Sequence, residues 1–400
     1  MSAKITFFPV GNGDSTLIQL NDSKDRDDIK QTSILIDCYF NGESEDQITE
    51  LRNRLPKDNK GRPYVDVFCL SHPDRDHVGG LREHFHLGDL TDYNEDEDLK
   101  IIIREMWSSP IVFRRASKNF TLTEDSKAWR TEAKRRVAIY RERKQGQKGQ
   151  ATTASGDRIQ LFGQDIDNDG NDKNADINNI VHLTDETFNC IDGRTSNHID
   201  INIIGPLPKG DVEEDEDRLG ANRSSIIMRY QIKPSKDSKE ATIFLTGGDA
   251  ERAVWEHLWE KYDKTPASLQ YDILQVPHHC SWHVLSEANC SWRKGCRKVN
   301  VKARNALSQI IDGGTIVASC KPIKDEDADP PCIGAKNEFV SIKNKASGEF
   351  ICTGEYPSEE NPEPLEILIT ESGHQPQGGT GRKIKKTLAT GIFAEPVEHG

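Results

Sequence analysis

His72, Asp74, Asp76 and His77 stand within six residues of one another, directly after Val65-Asp66-Val67-Phe68-Cys69-Leu70-Ser71. That mostly apolar run has the length and composition of a strand buried on both faces. A turn leaving such a strand can aim alternate side chains at one point. Imidazoles and carboxylates are the donor types that bind divalent metals. Asp249, after Thr246-Gly247-Gly248, and His278, after Val276-Pro277, follow two further apolar runs in the same way. Each alone has a plain structural explanation, a helix N-cap for Asp249 and a satisfied histidine for His278. With the first cluster they complete a shell for one or two metal ions: His72, Asp74, Asp76, His77, Asp249 and His278.

The chemistry of such a shell is hydrolytic. A water bound to the metal has its pKa lowered towards roughly 7 and becomes a hydroxide nucleophile for a phosphorus or carbonyl centre. Asp76 is placed to orient it besides binding metal. Three carboxylates among six ligands leave Mn²⁺ or Mg²⁺ open beside Zn²⁺, since oxygen donors suit the harder ions.

The elements that must position these residues alternate between strand and helix, an α/β pattern. Ile5–Val10 and Ser15–Leu20 read as strands around Gly11-Asn12-Gly13-Asp14, whose glycines suit a tight hairpin. Ser33–Ile36 ends in Asp37, and Ile48–Leu55 has helical spacing. Strands are expected at 224–232, 241–246, 272–276, 314–319 and 365–370, and a helix near 250–262. Three insertions interrupt this frame: a basic helical one at 114–148, a polar one at 165–198 and a basic, Cys-containing one at 284–306. The expectation is one domain over 1–372 and a flexible basic tail over 373–400.

Ser71-His72-Pro73-Asp74-Arg75-Asp76-His77-Val78-Gly79-Gly80 resembles the signature loop of the metallo-β-lactamase superfamily. Its form with aspartate at the third position of the loop is similar to the β-lactamase-like domain of ComEC-type competence proteins. Gly11–Ser15, Ile36-Asp37, Gly156–Ile159, Asn222–Ile227, Leu245–Glu251 and Val276–His279 agree in order with that branch. The resemblance covers roughly residues 4 to 320 and implies an αββα four-layer sandwich. It assigns His72 and Asp74 to the first metal, Asp76, His77 and His278 to the second, and Asp249 to both. His279 is a second-choice ligand, or a catalytic group near the leaving oxygen beside Asp76 and His72. Three departures stand out: no middle histidine, Thr-Gly-Gly-Asp for Thr-Gly-Asp, and His278-His279-Cys280-Ser281 for His-His-Gly-Ser.

The ComEC-like branch implies a nuclease, acting in nucleic-acid turnover or in defence against foreign DNA. Against a net charge of −13, the basic stretches offer Arg130, Lys134, Arg135, Arg141, Arg293, Lys294, Arg297 and Lys298 to a phosphate backbone. Trp129, Tyr140 and Trp292 lie among them as stacking surfaces. An exposed helix kept soluble by charge would look the same. A hydrolase of a small phosphodiester, cyclic nucleotide or lactone is the second reading, and a catalytically weak binding or regulatory protein, with partner proteins of the same pathway, the third. Asp165, Asp167, Asp169 and Asp176, with Gly170, match part of a calcium loop, though without the usual Glu at its end.

Mean hydropathy is −0.71 and no apolar run approaches a membrane span. Nine scattered cysteines read as free thiols rather than as a disulfide frame, and the N-terminus shows no secretory pattern. The expected compartment is the cytoplasm.

Overall fold

A computed structural model describes residues 2–22, 31–40, 42–44, 46–94, 99–109, 122–146, 153–164, 171–207, 225–287, 289–325 and 329–377. The chain is mixed α/β, built on two large sheets. The first runs in the order Gly373–Pro376, Leu365–Thr370, Ala3–Phe7, Thr16–Gln19, Ser33–Ile36, Tyr64–Leu70, Ile101–Ser108, Arg158–Phe162 and Val181–His182. It is antiparallel as far as Ser33–Ile36 and parallel from there on. The second runs Thr187–Phe188, Ile199–Gly205, Ile227–Ile232, Thr242–Thr246, Tyr271–Gln275, Ile310–Ala318 and Glu349–Cys352, and is parallel from Thr242–Thr246 onwards.

Alternation along these strands divides the apolar side chains into three cores. Ile5, Phe7, Ile34, Val67 and Trp107 of the first sheet share one core with Ile201, Met228, Tyr230, Phe244 and Ile273 of the second. The other face of the first sheet packs Leu35, Val65, Phe68 and Met106 against the helices Asp46–Arg54 and Glu124–Gly146 through Leu51, Trp129 and Val137. The other face of the second packs Leu245, Leu274 and Ile316 against Trp255, Leu307 and Phe339, from the helices Arg252–Tyr262, Val301–Leu307 and Ile333–Lys345.

Several local expectations need correction. The first two strands pair from Phe7 opposite Thr16, so eight residues, not a tight turn, connect them. The strand Gly373–Pro376 pairs with Leu365–Thr370, extending the sheet four residues into the stretch read as tail. Residues 165–198 supply an edge strand to each sheet, Val181–His182 and Thr187–Phe188. The helix Ile333–Lys345 and the strand Glu349–Cys352 had no counterpart in the sequence reading. Cys290 and Cys296 form a disulfide across a six-residue separation, whereas Cys38, Cys69, Cys190, Cys280, Cys320, Cys332 and Cys352 are free. Among the described residues no helix is long and apolar enough to cross a membrane.

Candidate metal centre

Where parallel strands end side by side, polar groups carried just past their carboxyl ends converge, the usual place for a site in an α/β protein. Five strand ends meet here. Ser33–Ile36 delivers Asp37, Tyr64–Leu70 delivers Ser71 and His72, and Thr242–Thr246 delivers Asp249. Tyr271–Gln275 delivers His278 and His279, and Ile310–Ala318 delivers Ser319. Asp14 joins them from the loop before Thr16–Gln19, its N–H donating to the Asp76 carbonyl at 3.1 Å. One helical turn, Arg75–Val78, brings Asp76 and His77 in together.

Hydrogen bonds at the rear fix which nitrogen of each ring faces the centre. Asp37 accepts from the Ser71 N–H at 2.7 Å and from the Ser71 hydroxyl at 2.6 Å. Having given its proton to Asp37, the Ser71 oxygen can only accept from His72 Nδ1, 3.1 Å away. His77 Nδ1 lies 2.8 Å from Asp37 Oδ2, and His279 Nδ1 lies 3.1 Å from the Ser319 carbonyl, both pure acceptors. All three rings therefore carry hydrogen on Nδ1 and turn Nε2 inward, the arrangement in which ligating imidazoles are held by a second partner.

Asp249 occupies the middle. Its Oδ1 lies 3.0 Å from His77 Nε2 and 3.5 Å from His279 Nε2, and Asp76 Oδ2 lies 3.4 Å from the latter. Its Oδ2 lies 3.5 Å from His72 Nε2 and 3.8 Å from His278 Nε2, with Asp74 Oδ2 3.6 Å from His72 Nε2. The two oxygens of one carboxylate thus face two groups of donors. His77 Nε2 and His279 Nε2 stand 3.2 Å apart. With both Nδ1 positions occupied by hydrogen, that approach requires a proton or a metal cation between or beside them. His72 Nε2, Asp74 Oδ1 and Asp249 Oδ1 are buried without a hydrogen-bond partner. Buried polar atoms are normally satisfied, so these donors fit a metal ion. The buried group Asp14, His77, Asp249 and His279 can hold one. Asp14 approaches His77 and His279 from their Nδ1 sides, at 3.8 and 3.6 Å, which makes it a carboxylate behind the rings.

The electrostatics follow from this crowding. Burial works against the His77 and His279 imidazolium forms, but Asp249, with Asp37 behind one ring and Asp14 behind the other, raises both well above the ordinary histidine range. His72 is raised to about 9: burial and His77 pull it down, and Asp249 and Asp74 outweigh them. Asp249, despite burial, is held well below the carboxylate range by the surrounding imidazoles.

Two glycines let Asp249 reach this position for separate reasons. A Cβ at Gly247 would lie 2.8 Å from the Trp255 ring. Gly248 has φ +49°, and a Cβ there would lie 2.7 Å from Ser71 Oγ. The extra glycine therefore leaves Asp249 central. Past the strand Tyr271–Gln275, His278, His279 and Cys280 all have positive φ, at 48°, 48° and 65°. A left-handed residue with a side chain costs roughly 1–2 kcal/mol, and such strain collects at functional sites. This turn sends His279 to Asp76 and His77, and His278 to His72, the reverse of the expected division.

All six expected ligands surround one point, and His279 joins them. Asp14, Asp37, Ser71 and Ser319 were not singled out as site residues. The only hint was that Asp14 and Asp37 flank strands next to glycine-rich or apolar segments.

The nucleic-acid candidates fare differently. Arg135 pairs with Glu132 and Asp157, at 2.7 and 2.9 Å, and Arg141 with Asp176 at 2.7 Å. Trp129 and Tyr140 are buried in the core beneath the helix and cannot stack on a base. Trp292 packs on Trp282 and under Arg297, whose guanidinium carbon lies 3.4 Å from its ring centre. Arg130 is half-buried, whereas Lys134, Arg293, Lys294 and Lys298 are exposed. Of the calcium candidates, Asp165, Asp167 and Asp169 lie outside the described residues, and Asp176 is engaged by Arg141.

No protein-family model matches this chain, and no curated protein matches it.

Proposed function

We propose that the chain is a metal-dependent phosphodiesterase, a nuclease acting on DNA or RNA, on the αββα sandwich of the metallo-β-lactamase fold. One observation carries the reading: three inward-turned imidazoles divide between the two oxygens of a single buried carboxylate, with Asp74, Asp76 and His278 closing the ring. A shared carboxylate between two donor groups is the layout that phosphoryl-transfer centres with two ions use. The three cores, one between the sheets and one beneath each helical side, support the four-layer arrangement. Pairing of Ala3–Phe7 with Leu365–Thr370 supports a single elaborated domain with insertions.

His72, Asp74, His278 and Asp249 Oδ2 would hold one ion, and Asp76, His77, His279 and Asp249 Oδ1 the other. Divalent ions there supply Lewis acidity to a water and to a phosphoryl oxygen. The protein's own contribution is orientation. Asp37 and Ser71 lock His72 and His77, and Ser319 locks His279, so no ring needs to turn on binding. Asp76, 34% exposed at the mouth, is positioned to accept the proton of an incoming water.

The test is metal-stripped protein incubated with end-labelled single- and double-stranded DNA and RNA, with Mn²⁺, Mg²⁺ or Zn²⁺ restored singly, beside a His72→Ala/Asp76→Ala control. Cleavage that needs metal and disappears in the control is the expected result. Metal uptake without cleavage of any probe overturns the nuclease.

A further inference from the structure

We propose that the groove at the mouth of the centre seats a single nucleic-acid strand, gripped through its phosphates by Arg75 and Lys321. The proposal takes its chemistry from the phosphodiesterase reading, but its binding can be measured separately.

A groove of about 640 Å³ is lined by Asn12, Tyr39, Ser44, Arg75, Lys321 and Glu359 among others. Three chain segments carry both a wall of this groove and a member of the cluster. Asn12 precedes Asp14 by two residues, Arg75 stands between Asp74 and Asp76, and Lys321 follows Ser319 by two. Groove and centre therefore share their backbone. Inward, the cluster is sealed: His72, His77 and His279 expose no surface. It opens only at its acids, where Asp76 is 34% and Asp74 22% exposed, and at His278. A substrate consequently reaches it across the Arg75 turn.

Charge along that approach is positive. Arg75 is exposed and makes no ion pair among the described residues. The Lys321 stem lies along Gly11, where a Cβ would be 3.4 Å from Cε, and its N–H donates to Asn12 Oδ1 at 3.0 Å. The loop that carries Asp14 thus also carries the lysine. The acid on the far wall, Glu359, is engaged by Lys324. A guanidinium fork and an ammonium are the usual pair for phosphate oxygens. Tyr39 offers an aromatic edge, and the volume suits a nucleotide-sized group. It admits a strand rather than a duplex. Since the chain carries a net charge of −13, a polyanion needs such local cations to bind at all.

The test uses the full chain loaded with Mn²⁺ and a short fluorescein-labelled phosphorothioate oligothymidylate, which resists cleavage. Affinity is read by polarisation over a range of salt, and manganese affinity by calorimetry. Arg75→Ala/Lys321→Ala is expected to bind the strand at least about tenfold more weakly. Its log–log salt slope should be lower by about 1.4, two phosphate contacts at roughly 0.7 each, with manganese affinity unchanged. Lys321→Ala alone, remote in sequence from the metal ligands, should lower the slope by about half as much. Wild-type affinity and slope in the double variant overturn the proposal, as does a wild type that does not bind the strand. Loss of binding on Arg130→Ala/Lys134→Ala instead also overturns it. Strand binding through these cations without cleavage under any metal upholds the groove and removes the phosphodiesterase. Hydrolysis of a small phosphodiester without strand binding does the reverse.

Discussion

Ser71→Ala isolates the orientation argument, because it deletes one oxygen that touches no substrate and no metal. The hydroxyl donates to Asp37 at 2.6 Å and accepts from His72 Nδ1 at 3.1 Å. Without it, the buried His72 Nδ1–H has no acceptor, a loss of about 1–3 kcal/mol. The ring can escape by moving its proton to Nε2, towards Asp249 3.5 Å away. That proton then occupies the lone pair a metal needs. Removing such a rear partner typically weakens metal binding 10–100-fold, or about 1.4–2.7 kcal/mol. The metal-dependent part of the stability should fall by the same amount. For a chain of 400 residues, with an unfolding entropy of roughly 2.1 cal/mol/K per residue, this is a Tm loss of about 2–3 °C at saturating metal. The assay is a competitive chelator titration paired with melting curves taken with and without chelator. Equal metal affinity and an equal chelator-induced Tm drop in Ser71→Ala and wild type would refute the account of how the rings are held.

Asp249→Asn should abolish retention of both ions and with it any chelator effect on Tm; metal analysis after gel filtration decides, and two retained equivalents reject the shared-carboxylate reading. In the metal-free protein His72 keeps its proton until about pH 9, held by Asp249 and Asp74 against burial and His77, so metal must displace it. Apparent affinity should therefore climb from pH 6 to 9, and a flat profile would contradict this. Burial raises Glu105 to about 7 against hydrogen bonds from Gln160 and the Asp192 amide. Its folded pKa lies above its unfolded value of 4.5, so its contribution is complete below pH 4.5 and is lost as pH rises through about 7. The loss is roughly 3 kcal/mol, and urea unfolding of Glu105→Gln should lack that slope; parallel profiles would rule it out. Gly248→Ala presses on Ser71 and should cost stability, about 2 kcal/mol, together with metal affinity. Gly247→Ala presses on Trp255 and should cost stability alone, as calorimetry of the pair will show.

The ligand loop was legible because its chemistry is contiguous: four donors at the mouth of an apolar strand need no tertiary information. Asp249 and His278 were legible because their strands announce themselves. Asp14 and Asp37 were not, since a single acid beside a strand looks like any turn residue until the rings it supports are in place. Exchange of roles between His278 and His279 depends on three left-handed residues that no glycine signals. Charge on the helix Glu124–Gly146 was read correctly as pattern and misleadingly as surface. The acids that engage Arg135 and Arg141 come partly from Asp157 and Asp176, distant in sequence. Pairing of Cys290 with Cys296 likewise required a Cα separation of 5.2 Å, which spacing alone does not give.

The cluster draws its donors evenly from the two sheets. His72, Asp76 and His77 leave the first, while Asp249, His278 and His279 leave the second. Contacts such as His77–Asp249 and Asp76–His279 therefore also bridge the seam between them. An ion held there acts as a rivet through both halves of the molecule. Chelation should accordingly loosen the seam as a unit, releasing amides at the carboxyl ends of Tyr64–Leu70 and Thr242–Thr246 to hydrogen exchange together instead of fraying either sheet first.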